Sequence, residues 1–143
     1  MKKIFLQFFT LTLLFLAGSL VAQTPEATAQ SMNKITFQGN ELETSAPCEG
    51  NNYSITTNDG LLMVVIVNAP ESGTANLNDD FFTKGCAECL LLQVIKVDDG
   101  TEFRGLSGKI THEGKKISFQ VQVYTEADPD TKIDLKGEVV CQE

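Results

Sequence analysis

The stretch Ile117-Ser118-Phe119-Gln120-Val121-Gln122-Val123-Tyr124 alternates apolar and polar side chains without a break. A period of two puts Ile117, Phe119, Val121 and Val123 on one face of an extended chain, the pattern of a β-strand with one face in a core. Upstream, Glu113-Gly114 marks a tight turn, and Phe103 to Thr111 reads as the preceding strand. Downstream, a loop is expected around Pro129. Ile133, Leu135, Gly137, Val139 and Cys141 then share one face of a final strand.

The same period runs back to Asn33. Ile35 and Phe37 alternate with Thr36 and Gln38, Gly39-Asn40 suits a two-residue turn, and Glu41-Leu42-Glu43 resumes an alternating strand. Tyr53, Ile55 and Thr57 lead to Asn58-Asp59-Gly60, the strongest hairpin signal in the chain. Leu61 to Val67 is continuously apolar, which predicts a central strand covered on both faces. Thr74 to Leu77 reads as a short strand and Asn78-Asp79-Asp80 as a loop. Leu90 to Val97 is too short before Asp98-Asp99-Gly100 for a helix and reads as a strand. About eight or nine short strands with tight turns predict an all-β fold. The expected form is an antiparallel β-sandwich, with a small closed β-barrel as the alternative.

The N-terminus has a different grammar. Lys2 and Lys3 precede an apolar run from Ile4 to Ala17, and small residues follow at Gly18, Ser19 and Ala22. That is the layout of a secretory signal peptide, with cleavage expected after Ala22. The run is near the lower limit for spanning a bilayer and no basic stop-transfer cluster follows it, so no stable membrane insertion is expected after cleavage. Leu16-Ala17-Gly18-Ser19 lacks the cysteine that lipidation of such a segment requires. Residues 1–22 are thus read as signal peptide, 23–32 (QTPEATAQSM) as a flexible leader and 33–143 as one β domain. The expected destination is the periplasm or the extracellular medium.

The chain carries 11 Lys+Arg against 19 Asp+Glu, a net charge of −8, and loss of Lys2 and Lys3 brings the mature protein to about −10. Such a surface repels phosphate backbones, so no nucleic-acid partner is expected. Four cysteines, Cys48, Cys86, Cys89 and Cys141, read as disulfides in an oxidising compartment.

The chain resembles a group of small secreted bacterial β-domain proteins. The resemblance rests on Asn68-Ala69-Pro70-Glu71-Ser72-Gly73-Thr74 after an apolar strand, on the hairpin Leu106-Ser107-Gly108-Lys109-Ile110 to Lys116-Ile117-Ser118-Phe119, and on the closing Leu135-Lys136-Gly137-Glu138-Val139-Val140-Cys141. It implies a sandwich-like β fold and a cysteine pair joining an early loop to the last strand, and it implies no activity. On that reading Cys48 pairs with Cys141, and Cys86 closes on Cys89. In the chain-entropy picture the long bridge contributes about 4.6 kcal/mol and the short one about 1.9 kcal/mol.

Cys86-Ala87-Glu88-Cys89 is the motif with reactive potential. A redox dithiol of the thioredoxin kind needs a helix N-terminus to lower its first thiol's pKa, and Leu90 to Val97 is too short and too β-branched to supply one. A zinc site needs paired ligand knuckles, whereas Cys48 and Cys141 are isolated. His112 beside the Glu113-Gly114 turn is expected to be solvated. Asp79-Asp80, Asp98-Asp99 and the trio Glu126, Asp128 and Asp130 read as solvated turns without the glycine and distal glutamate of an EF-hand loop. No cofactor or metal is expected. The function expected is non-catalytic: binding or structural, toward a protein, a glycan or a small molecule. A carrier with a barrel cavity and a thiol–disulfide oxidoreductase using Cys86 and Cys89 are the alternatives.

Overall fold

A computed structural model describes residues 33–45, 48–49 (backbone) and 51–141. The expected signal peptide and leader lie outside these residues. In chain order the described elements are β1 (Lys34–Phe37), β2 (Asn40–Ser45), β3 (Cys48–Glu49), β4 (Asn52–Thr57), β5 (Leu62–Val67) and β6 (Gly73–Asn78), then the helical turn α1 (Asp80–Lys84), then β7 (Leu91–Lys96), β8 (Glu102–Glu113), β9 (Lys116–Thr125) and β10 (Asp128–Val140). The fold is all-β, with strands making up 66% of it.

Every pairing is antiparallel, and eight strands close a ring in the order β1, β2, β4, β5, β7, β8, β9, β10 and back to β1. The closed barrel is therefore the form the all-β architecture takes. The closing seam is short: Thr44 opposes Thr57 and Ser45 opposes Thr56. Next to it the Asn58 amide donates to the Glu43 carbonyl at 2.9 Å. Asn33 extends the β1 ladder on the other side of β2: its backbone carbonyl accepts from the Thr44 amide while its side-chain oxygen accepts from the Val140 amide at 2.8 Å. One buried residue thus ties β2 to the end of β10.

Strand β8 is the corner of the barrel. Its first part pairs with β7 through Glu102, Phe103 and Arg104, and its second part pairs with β6 through residues 107–112. Between them the register against β9 slips, with Gly105 opposite Val123 but Ser107 opposite Gln122. Leu106 is the extra residue of a β-bulge, which bends the strand and shifts its alternation by one. Phe103 and Gly105 face inward before it; Gly108, Ile110 and His112 face inward after it.

Inward side chains fill the ring. Ile55, Val64, Ile66, Leu92, Val94, Ile110, Ile117, Val123, Leu135 and Val139 are fully buried and belong to one continuous core. Phe37 and Phe103, from strands three places apart around the ring, meet edge-to-face with centroids 5.2 Å apart. Tyr53 and His112 do the same from β4 and β8, at 5.8 Å. An eight-stranded ring is about wide enough for side chains to fill it, and here aromatic contacts cross it in two places.

Several expectations are corrected. The turn after β1 is Gln38-Gly39, one residue earlier than expected, with both residues at positive φ (52° and 79°) and Asn40 already in β2. Leu61 to Val67 is not covered on both faces: Leu62, Val64 and Ile66 are buried while Met63, Val65 and Val67 are half-exposed and Leu61 is 53% exposed. A single-walled barrel has only one inner face to offer. Asp80 is the first residue of α1 rather than part of a loop. The loop expected at Pro129 is a tight turn at Glu126-Ala127, and Pro129 lies within β10 where pairing is interrupted between Asp128 and Ile133. Proline lacks the N–H a regular ladder would use there.

Candidate functional site

The Cys86–Cys89 pair is joined, with an S–S distance of 2.09 Å. It follows the left-handed Gly85 that ends α1, so Cys86 sits beyond the helix C-terminus. That end carries partial negative charge and disfavours a thiolate, the opposite of what an activated dithiol needs. A second constraint comes from across the loop: the Asn68 amide donates to the carbonyls of Ala87 and Cys89, both at 3.0 Å. The turn is thus held by hydrogen bonds as well as by the bridge. We expect the Cys86→Ser/Cys89→Ser double variant to cost no more than about 2 kcal/mol. Mild reductant should open this bridge with the far-ultraviolet circular dichroism unchanged. Cooperative loss of the sheet when only these two sulfurs are alkylated would refute this local role. The expected Cys48–Cys141 bridge involves a side chain outside the described residues. Cys141 itself is half-buried against the core.

His112 is not solvated. It shares a face with buried Ile110, is half-buried, and its Nδ1 lies 2.9 Å from the Pro70 carbonyl with the Tyr53 hydroxyl 3.3 Å from Nε2. Burial raises the pKa of that Tyr53 hydroxyl. The parity with Ile110 was the signal available in the sequence. The ring packs against Tyr53 of the core; its hydrogen-bond partners are a carbonyl and a phenol, and among the described residues no carboxylate orients it as a catalytic base requires.

The acidic clusters serve turns and surface pairs. Asp59 accepts from the Thr57 hydroxyl and the Leu61 amide, which hold its carboxyl below the ordinary carboxylate range. Asp99 is lowered in the same way by Thr101. Asp80 pairs with Lys84, and Glu126 pairs with Arg104 while Asp128 accepts from the Thr131 amide. Arg104 also lies over the Phe82 ring, 4.9 Å from its centroid, which seats α1 on the outer wall. Among the described residues no three His, Cys, Asp or Glu side chains group as a metal site would.

The sequence reading missed the outer wall formed by β8, β9, β10 and β1. Strand pairing sets side chains there in cross-strand rows. One row runs Asn76, Lys109, Gln120, Lys136, Thr36, Glu41, and its neighbour runs Thr74, Thr111, Ser118, Glu138, Lys34, Glu43. Their central members, with Phe119 and Gly137, line a shallow groove of about 500 Å³; Glu138 is the one carboxylate in that lining. In a protein this acidic, three lysines in one groove reverse the local charge. Lys34 is taken by Glu41, and Glu138 by Lys116 at 2.9 Å. Lys109 and Lys136 are exposed and form no ion pair with a described residue. Each lysine sits beside an inward residue (Lys109 beside Ile110, Lys136 beside Leu135), so its outward direction follows from alternation. That they share a wall follows only from the pairing of β8 and β10 with β9.

A smaller pocket of about 230 Å³ lies by the Gln38-Gly39 turn and the 58–61 loop, lined by Phe37, Leu42, Leu62, Thr57, Asp59 and Lys96 among others. No protein-family model, no curated protein and no solved structure matches this chain.

Proposed function

We propose that the mature chain is an exported, non-catalytic binding module whose recognition surface is the outer wall of a filled β-barrel. The observation that carries this reading is the pair of aromatic contacts across the ring, Phe37 with Phe103 and Tyr53 with His112, within a continuous buried core. A carrier needs that volume for cargo, since small-molecule pockets usually span about 300–1,000 Å³. The groove over β8 to β1 is, by contrast, open, and its lining carries three lysines against one glutamate in an otherwise acidic protein.

Native mass spectrometry of the exported protein tests this. The expected species begins at Gln23, carries the hydrogen deficit of two disulfides and retains no apolar molecule. A co-purifying apolar ligand, released on unfolding, would make the carrier reading the right one. The pocket beside Phe37, Leu42 and Leu62 is the specific feature that favours that second reading, as the mouth of a barrel is a common ligand site.

A further inference from the structure

We infer that the groove across β8, β9, β10 and β1 takes a short acidic saccharide, anchored by Lys109 and Lys136; this rests on reading the barrel as an outer-wall binding module. Three features define the ligand. The first is charge. Lys109 and Lys136 flank Gln120 in register, which puts their Cα atoms two strand spacings, about 10 Å, apart. Neither ammonium has a carboxylate partner among the described residues, while the nearby Lys34 and Lys116 have theirs. Two unspent cations at that spacing suit a ligand with more than one anionic group.

The second feature is the floor. Gln120 lies between the lysines, Thr36 beyond Lys136 in the same row, and Thr111 and Ser118 in the neighbouring row; all four line the groove. Hydroxyl and amide side chains both donate and accept, as a polyhydroxylated ligand requires. Phe119 and Gly137 also line the groove, but Phe119 is only 4% exposed and offers no open ring face for stacking. Recognition there must run through hydrogen bonds and charge rather than through ring stacking, which disfavours a neutral sugar.

The third feature is extent. Carboxylates bound the lysine row on its margins: Asp134 one row away beside Gln122, Glu138 on the other side, and Glu41 and Glu43 at the β2 end. A long polyanion would overrun the row onto an acidic surface and be repelled. A short one fits between the carboxylates. The four strands under the groove are each paired on both sides, so a peptide could not add to them as a further strand.

Titration calorimetry of the mature exported protein at low salt provides the test. The probes are a galacturonic acid trisaccharide, a neutral galactose trisaccharide, sulfate alone and a short Asp/Glu peptide. The acidic trisaccharide should bind at least ten-fold more tightly than the other three, and its affinity should fall as salt rises. Lys109→Gln/Lys136→Gln should weaken it by ten-fold or more, while Lys84→Gln on α1 should leave it unchanged. Both groove lysines are exposed, so the double variant should keep the wild-type melting temperature. Absence of trisaccharide binding, or binding indifferent to the double variant, overturns the inference. Sulfate or the peptide binding as tightly as the saccharide through the same lysines also overturns it, yet leaves the outer-wall reading standing. Failure of that broader reading shows separately, as an apolar ligand retained in the native mass spectrum.

Discussion

Gly108→Ala is expected to cost about 3 kcal/mol or more, seen as a fall of about 10 °C or more in Tm. Gly108 lies in β8 two residues after the bulge, at φ 134°, where an L side chain is strained. A Cβ there would stand 2.4 Å from the Gln120 carbonyl oxygen and 2.5 Å from Val121 Cα, both backbone atoms of β9. Neither can swing aside as a flexible side chain would, so relief requires β8 and β9 to part over their longest shared register. Gly114→Ala is the matched control. Gly114 is also at positive φ, 62°, but nothing stands within 4 Å of its Cβ position. It should cost only the conformational penalty, about 1 kcal/mol. Urea denaturation of both variants separates the two effects. Equal losses would show that close approach of β8 to β9 is not what Gly108 provides.

Phe103→Ala is expected to cost about 3–5 kcal/mol, the range for removing a buried aromatic ring. Phe103 is 4% exposed and its ring packs edge-to-face on Phe37 across the barrel. Its removal empties a volume that the strands cannot collapse into, because eight paired strands fix the circumference of the ring. Apolar cavities of this kind stay dry and take up benzene or xenon. Benzene should therefore raise the Tm of Phe103→Ala and leave the wild type unmoved. Phe103→Leu, which keeps most of the volume, should cost about 1–1.5 kcal/mol and bind benzene weakly, so the comparison survives if the alanine variant does not fold. A wild-type protein stabilised by benzene as much as the alanine variant would mean that the ring is not filled.

The strands and their inner faces were legible because side-chain alternation is local. Ile117, Phe119, Val121 and Val123 are all buried, as their spacing required, and Leu135 and Val139 close the opposite strand. The first turn was legible to within a residue, shifting from Gly39-Asn40 to Gln38-Gly39, whereas the one expected around Pro129 falls at Glu126-Ala127. The Leu61 to Val67 run misled for a physical reason. Apolar residues at successive positions signal burial on two faces, but Met63, Val65 and Val67 face outward from a single wall and are only half-covered. The bulge at Leu106 was silent, since Gly105-Leu106-Ser107-Gly108 contains nothing that counts residues on the opposing strand. His112 was misread by its nearness to a turn, although its parity with Ile110 already placed it inside.

What the sequence by itself determined is therefore the all-β character and the inward set of the regularly alternating strands β1, β9 and the later part of β10. Each of these depends on neighbours one or two residues away, through the alternation of an extended chain. What only the tertiary structure decided is closure of the ring and the company each side chain keeps. Closure rests on the two-residue seam of Thr44 and Ser45 with Thr57 and Thr56, and on the Asn58 amide donating to the Glu43 carbonyl beside it. The lysine groove exists because β9 sets Lys109 and Lys136 in one row, residues far apart in the chain brought together by register. Register is a long-range property: a slip of one residue in β9 would leave every local pattern intact and turn its side chains to the other face.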